Sequence, residues 1–287
     1  MKENPLGKAV AYPEHYDPGL LVPLAREDNR QKLGIDSAAL PFTGADIWNA
    51  YELSWLDTKG MPQVARGRFI FPCTSPFLVE SKSLKLYLNS LNQHAFADAG
   101  AAAACIRADL SQAAGAEVEV LVQAFGGMKE MLDAPDGIRL DANELGCDRY
   151  DVDASLLQLA QWQAVGEGGQ GGGGRTDELA DEVLYTDLFR SRCPMTGQPD
   201  WATVTVCYKG PLIDHAALLR YFVSYRLHAD YHENCVERIY CDLMARCKPQ
   251  SLSVEANFLR RGGLDINPVR ASAAMMDYVA FPRYNRQ

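Results

Sequence analysis

The run Ile47-Trp48-Asn49-Ala50-Tyr51-Glu52-Leu53-Ser54-Trp55-Leu56-Asp57-Thr58-Lys59-Gly60 sets the class of fold. Ile47, Asn49, Tyr51, Leu53 and Trp55 fall on one face of an extended chain, because strand side chains alternate with a period of two. Asp57-Thr58-Lys59-Gly60 is turn chemistry, and Val64 to Phe71 reads as the returning strand, so the stretch is a hairpin. The period then changes. Leu84, Tyr87, Leu88 and Leu91 recur at helical spacing over Ser83–Asn92, and a second helix is predicted near 106–114. Val118, Val120 and Val122 alternate again, and a short strand is predicted over Ile138–Leu140.

The same order returns after residue 180. A strand near 183–189 is followed by one in which Ala202, Val204, Val206 and Tyr208 alternate. Helices are predicted near 214–227, with a stripe of Leu218, Leu219, Phe222 and Val223, and near 231–247. Leu252, Val254, Ala256 and Phe258 mark a further strand over 252–260, and the last lies beyond Gly262-Gly263. Each half therefore reads β-β-α-α-β-β, a repeat of pattern with little direct identity. This is an α+β chain with antiparallel sheets and helices on one face. The run Gly166-Glu167-Gly168-Gly169-Gln170-Gly171-Gly172-Gly173-Gly174 resists helix and strand because glycine loses so much freedom on ordering. It divides the chain into an irregular arm (1–40), a first module (41–165), a glycine-rich linker (166–174) and a second module (175–287).

Composition bounds the function. The 287 residues are 47% hydrophobic and 23% charged, enough to bury a sizeable core. A net charge of -9 argues against a nucleic-acid surface but allows a local basic site for a phosphorylated small molecule, with Lys82, Lys85 and Arg260-Arg261 as candidates. The first twenty residues lack an apolar signal core, and no apolar run is long enough to cross a bilayer, so a cytoplasmic protein is expected. The eight cysteines contain no C-x-x-C pair and read as reduced thiols. Cys235, Cys241 and Cys247 lie six apart in a helical stretch, so successive thiols point about 120° apart and do not converge on a metal.

Four segments carry chemistry. Arg192-Cys193-Pro194-Met195-Thr196-Gly197-Gln198-Pro199-Asp200-Trp201 places a nucleophilic thiol and a proton-donating carboxyl on one looped segment. Taken alone, a buried structural cysteine beside a turn also accounts for it. In Val79-Glu80-Ser81-Lys82-Ser83-Leu84-Lys85, a helix start and two lysines suit an anion, and Glu80 suits the donor edge of a flat nitrogen heterocycle. A capped amphipathic helix explains the same residues. His232-Glu233 would bind a polar ring edge or simply start a helix; Val236 in the fourth place excludes the H-E-x-x-H zinc pattern. Arg260-Arg261-Gly262-Gly263 permits close approach of a phosphate or forms a basic turn. There is no G-x-G-x-x-G, so a nicotinamide nucleotide would not sit on a Rossmann unit.

Together these segments are specific. Through FTGADIWNAYELSW (42–55), VESKSLK (79–85), CPMTGQPDW (193–201), HENCVERIYCDLM (232–244) and LSVEANFLRRGGLDINPVR (252–270), the chain resembles the NADPH-dependent 7-cyano-7-deazaguanine reductases. These are nitrile reductases of queuosine biosynthesis, and the likeness is to their long, two-module form. The glycine-rich linker has no match in that pattern. The resemblance implies tandem tunnelling-fold (T-fold) modules and reduction of a nitrile to an aminomethyl group with two NADPH. It implies that Cys193 forms a covalent thioimide and Asp200 supplies protons. Cys73 is set aside because the family's nucleophile precedes the QPDW motif. Val79, Glu80, Ser81, His232 and Glu233 would hold the deazaguanine; Ser81, Lys82, Arg261 and Gly262 would contact NADPH. A homodimer is implied, with no metal, membrane or direct nucleic-acid partner. Two other readings compete. A metal-dependent purine or pterin enzyme of cyclohydrolase type needs a compact ligand cluster that the five histidines do not form. A non-catalytic binder of a purine ring would keep Glu80 and Glu233 but need neither Cys193 nor Asp200.

Overall fold

A computed structural model describes residues 12–124, 135–142, 145–160 and 179–273. The chain enters through a short strand β1 (Pro23–Ala25) and helix α1 (Glu27–Lys32), then forms the expected hairpin from β2 (Thr43–Leu56) and β3 (Pro62–Pro72). Strand β4 (Phe77–Val79), helices α2 (Ser81–Ser90) and α3 (Ala99–Ala114) and strand β5 (Glu119–Ala124) follow. The rest comprises β6 (Ile138–Arg139), β7 (Leu179–Arg192), β8 (Pro199–Pro211), α4 (His215–Ser224), α5 (His232–Cys247), β9 (Ser251–Phe258) and β10 (Leu264–Ala271). The glycine-rich stretch 166–174 lies outside the described residues.

Eight strands form one sheet in the order β5-β3-β2-β10-β9-β8-β7-β6, antiparallel throughout except for β6 beside β7. The architecture is mixed α+β with a mainly antiparallel sheet. The strands of the two halves meet where β10 pairs β2, from Leu264 opposite Ala50 to Ala271 opposite Thr43. Two apolar clusters lie between this sheet and the helices. One joins Trp48, Leu53 and Phe69 to Leu84, Tyr87, Ile106 and Leu110. The other joins Val204, Val206 and Phe258 to Leu218, Phe222, Ile239 and Leu243.

The structure departs from the sequence reading in four places. A bulge between Ala50 and Leu53 shifts the face of β2, so the core takes Trp48 and Ala50 before it and Leu53 and Trp55 after it. Asn49 and Tyr51 turn to the other face, where both donate to the Asp265 carboxylate. Helix α3 begins at Ala99, earlier than the apolar stripe suggests, because Asp98 caps it by accepting from the Ala101 N–H. Strand β6 does not complete the first half's own set; it pairs with β7 at the far edge of the sheet. Finally, the arm is not an irregular outlier. Strand β1 pairs with β4, and Arg30 of α1 is buried against Glu237 of α5.

The two halves nevertheless share internal detail. A bulge at Thr186/Phe189 in β7 corresponds to the one at Ala50/Leu53 in β2. Helices α2 and α4 both span ten residues, and α3 and α5 both span sixteen. Tyr87 donates to Asp109 at 2.6 Å and Tyr221 to Asp242 at 2.6 Å. Ser90 and Ser224 each donate to the carbonyl of the preceding tyrosine, Tyr87 or Tyr221, at 2.6 Å.

Candidate active site

The segment 193–200 folds as the expected loop between β7 and β8. The Cys193 N–H donates to the Gln198 carbonyl at 2.9 Å, and the Gly197 N–H donates to the Cys193 carbonyl at 2.9 Å. Gly197 takes a φ of 70°, which a residue with a side chain rarely adopts. Asp200 pairs with Ser191 across the ladder, so Ser191, Asp200 and Cys193 share a face. Cys193 is 5% exposed and Asp200 4%.

Asp200 is approached from two sides. Arg261 Nη2 lies 2.8 Å from Oδ1, and His232 Nε2 lies 3.4 Å from Oδ2. The imidazole of His232 stacks on Phe258 with ring centres 3.8 Å apart and planes at 11°. Its Nδ1 is buried with no hydrogen-bond partner. Arg261 opens the two-residue turn between β9 and β10, with Gly262 and Gly263 at φ of 58° and 81°. Both need glycine's freedom, as a primed hairpin turn does.

Two carboxyls flank this group. Glu80 caps α2, accepting from the N–H groups of Lys82 at 2.8 Å and Ser83 at 2.7 Å. Burial pushes its carboxyl above the ordinary range, although those two donors favour the ionised form. The helix itself therefore engages both oxygens that the sequence reading offered to a heterocycle. Glu233, in the first turn of α5, is 3% exposed. Burial, and then the nearby negative Asp46, push its carboxyl up to about 7, while His232 and Arg26 oppose the shift. Asp230 behaves differently: burial works against its charge, but the nearby His228 imidazole, with Nε2 3.6 Å from Oδ2, and donors from Asn234 and the Tyr231 N–H outweigh it and hold the carboxyl low.

Two adjoining cavities receive these side chains. The inner one, of about 40 Å³, is lined by Glu80, Cys193, Asp200, His232 and Glu233, with Trp48 and Leu24 among its apolar walls. The outer one, of about 200 Å³, is lined by Lys82, Lys85, Gln198 and Gly262. Ser81, Cys193, His232 and Arg261 line both, so the thiol stands where the two meet. Two sequence-predicted residues line neither cavity: the Arg260 guanidinium lies over the Tyr51 ring, and the Val79 side chain packs in the apolar core beside β1. The sequence reading missed Leu24, Trp48, Asp230 and Tyr231, all of which line the inner cavity. Asp230 and Tyr231 adjoin the His232-Glu233 motif, which was a usable signal. Leu24 belongs to the arm and Trp48 to the strand face that the bulge reassigns.

Among the described residues, no group of three or more His, Cys, Asp or Glu side chains is arranged to hold a metal ion. No helix among them is long and apolar enough to cross a membrane. All eight cysteines are free thiols.

Residues 12–122 match the family described as nitrile reductase, 7-cyano-7-deazaguanine-reductase N-term, and residues 199–276 match that of QueF-like protein. These matches set the chain among the nitrile reductases as a class. The NADPH-dependent 7-cyano-7-deazaguanine reductase of Azoarcus sp. (strain BH72) is 50% identical over 270 residues, covering 94% of this chain and 90% of that one. The protein of the same name from Stenotrophomonas maltophilia (strain K279a) is 49% identical over 286 residues, covering 100% and 98%. That from Burkholderia orbicola (strain MC0-3) is 50% identical over 272 residues, covering 94% of each. The chain belongs to the NADPH-dependent 7-cyano-7-deazaguanine reductase family. A solved structure of the archaeosine synthase QueF-Like in the apo form matches 36% of this chain and 100% of that chain at 17% identity with a TM-score of 0.29, too slight a likeness to bear on the fold.

Proposed function

We propose that the protein reduces the nitrile of 7-cyano-7-deazaguanine to an aminomethyl group with two NADPH, in queuosine biosynthesis. The observation that carries this reading is the meeting of a buried thiol, a carboxyl and an imidazole in one inner cavity that adjoins a cation-lined outer one.

The Cys193 thiol adds across the C≡N bond. As sulfur bonds to carbon, the thiol proton passes to the Asp200 carboxylate, which hands it on to nitrogen, giving a thioimide. NADPH supplies two hydrides, each accompanied by a proton delivered to nitrogen. The first leaves a tetrahedral carbon bearing sulfur and NH₂. Loss of the Cys193 sulfur, which takes back a proton, releases an imine, and the second hydride completes the amine. His232, 3.4 Å from Asp200 and buried on its far nitrogen, is placed to replenish the Asp200 proton. Glu233 faces the inner cavity as acceptor for the ring's N–H groups, and Glu80 joins it by exchanging its helix donors for the ring. Lys82, Lys85 and Arg261, with Gly262 leaving the backbone bare, suit the phosphates of NADPH. The inner cavity has room for only a few water molecules, so a bicyclic ring enters by displacing Arg261 or the 193–198 turn.

We read the fold as tandem T-fold modules, supported by the matched bulges and the repeated Tyr–Asp pairs. The modules are 41–165 and 175–287, joined by the linker 166–174, and limited proteolysis tests that division. Among the described residues β5 is an edge of the sheet, which favours closure by a second copy as a homodimer. We assign the cytoplasm as its compartment.

The deciding experiment follows NADPH absorbance with 7-cyano-7-deazaguanine present. Oxidation of two NADPH per ring is expected, and no oxidation at any substrate level sinks the reading. Cys193→Ala should lower turnover by about a thousandfold or more and abolish the covalent adduct seen by mass spectrometry. An adduct in that variant would point to another thiol.

A further inference from the structure

The bulge in β2 pushes two residues toward the turn that carries Arg261. Between Ala50 opposite Gly67 and Leu53 opposite Ala65, Tyr51 and Glu52 face the single residue Arg66 of β3. Tyr51 is half-buried and meets the turn and the start of β10 with its backbone, its hydroxyl and its ring. Its N–H donates to the Gly263 carbonyl at 2.9 Å, continuing the ladder beyond Ala50 opposite Leu264. Its hydroxyl donates to Asp265 Oδ2 at 2.5 Å. The Arg260 guanidinium carbon lies 4.6 Å from its ring centre, and that of Arg66 lies 5.1 Å from it. Asp265 is buried and also accepts from Asn49 at 2.7 Å and Asn267 at 2.6 Å, so the hydroxyl is anchored to a fixed point.

The turn needs such support. Arg261 and Leu264 close on each other through backbone hydrogen bonds of 2.9 Å and 3.1 Å, but the residues between them are Gly262 and Gly263. Glycine loses more freedom on ordering than any other residue, so a double-glycine turn is soft unless it is held from outside. Glu52, the second bulged residue, holds its other side. A Cβ on Gly263 would lie 2.5 Å from Glu52 Cδ, and Glu52 Oε2 lies 3.5 Å from Lys85 Nζ of the outer cavity. With the Glu52 side chain 61% exposed, that ion pair contributes little, and Tyr51 supplies most of the hold. Tyr51 itself lines neither cavity.

We propose that Tyr51 is a positioning residue for the cofactor: with its hydroxyl on Asp265 and its ring against Arg260, it fixes the Arg260–Gly263 turn and so sets Arg261 and Gly262 for NADPH. This role rests on the reading of Arg261 and Gly262 as NADPH contacts. Losing Tyr51 therefore acts on cofactor affinity. Glu80, Cys193 and Glu233, which hold and attack the nitrile-bearing ring in the same reading, stand on other elements of the inner cavity. Thioimide formation consumes no NADPH, so it reports on those residues apart from the turn.

The test uses the full-length protein with Tyr51→Leu, which keeps the backbone N–H but loses ring and hydroxyl, and Tyr51→Phe, which keeps the ring. By fluorescence titration, Tyr51→Leu should weaken NADPH binding about tenfold and Tyr51→Phe about threefold. Hydrogen exchange at the Arg261 and Leu264 amides should quicken about tenfold in Tyr51→Leu. In both variants the Cys193 adduct formed with 7-cyano-7-deazaguanine in the absence of NADPH should reach the extent seen in the unaltered protein. KM for the nitrile should change less than about twofold. A general loss of structure lowers adduct and NADPH binding together, and that result overturns the proposal, as does unaltered NADPH affinity. If Tyr51→Leu fails to fold, Arg260→Met decides, since Arg260 is exposed. It should weaken NADPH binding about threefold and quicken exchange at the same two amides. Weaker binding with unaltered exchange would mean that Arg260 meets NADPH directly, and would overturn the proposal. If the unaltered protein neither binds nor oxidises NADPH, the reductase reading falls, while exchange at the two amides still decides whether Tyr51 holds the turn.

Discussion

The Arg261 guanidinium and the Asp200 carboxylate lie 2.8 Å apart, so the residue proposed to bind phosphate is held by the residue proposed to deliver protons. The two assignments compete for one cation. Arg261→Met should weaken NADPH binding by about 10- to 100-fold, the range for losing a charged hydrogen bond. Asp200→Asn should tighten it about two- to fivefold by releasing Arg261, since a pair with one partner 32% exposed contributes little. Fluorescence titration of NADPH into each variant reads both signs. Weaker binding in Asp200→Asn would show that the pair does not compete.

Glu233 also bears on stability. Its carboxyl is raised to about 7 from an ordinary value of 4.5. Between those values the folded state binds the proton more tightly than the unfolded one, so this group's contribution falls as pH rises from 4.5 to 7 and is level above. Glu233→Gln removes the penalty. The variant should match the unaltered protein near pH 4 and exceed it by about 1–3 kcal/mol at pH 8, while losing ring affinity. Urea unfolding at the two pH values measures the difference, and equal stability at pH 8 would contradict the burial account.

Arg270 has no exposure and holds two buried carboxylates. Arg270→Met should destabilise the fold by about 3–5 kcal/mol, because Asp46 and Glu237 lose a shared partner inside the protein. Arg139, with its side chain 56% exposed beside Asp141 and Asp187, provides the contrast. Arg139→Met should cost less than about 1 kcal/mol. The same denaturant series reads both.

Gly44 takes a φ of 150° where β2 meets β10, and a Cβ there would lie 2.1 Å from the Val269 carbonyl oxygen. The neighbour is backbone and cannot yield cheaply. Gly44→Ala should destabilise by several kcal/mol through strain at a special backbone position. Gly34→Ala is the control: φ is also positive, at 68°, but nothing lies within 4 Å, so the cost should stay near 1 kcal/mol. Thermal unfolding separates the two.

Much of the fold was legible because it follows local rules. Alternation in Ala202, Val204, Val206 and Tyr208 marks β8, and all four are buried. The stripe Leu84, Tyr87, Leu88 and Leu91 marks the buried face of α2. The loop joining Cys193 to Asp200 was legible from Pro194, Gly197 and Pro199. What escaped was set by distant partners or by small breaks in period. A bulge after Ala50 inverts which residues of β2 face the helices, so Trp48 reaches the inner cavity. Arg26 and Arg30 look like surface charge on a polar arm, and only Asp46 and Glu237, 20 and 207 residues away, make their burial tolerable. Strand β6 is two residues long and carries too little pattern to reveal which edge it joins.

The pairing of β2 with β10 has a consequence for synthesis. Thr43 meets Ala271, and Asp46 gains Arg270 only when almost the whole chain has been made. Contacts of such long sequence separation are slow to form, because a large loop must close before they repay it. During translation the first hairpin can assemble early, but Asp46 waits with half its counter-charge missing. The region behind Glu233 is thus the last to solidify, and a nascent chain stalled short of β10 would hold most of its secondary structure without a finished binding pocket.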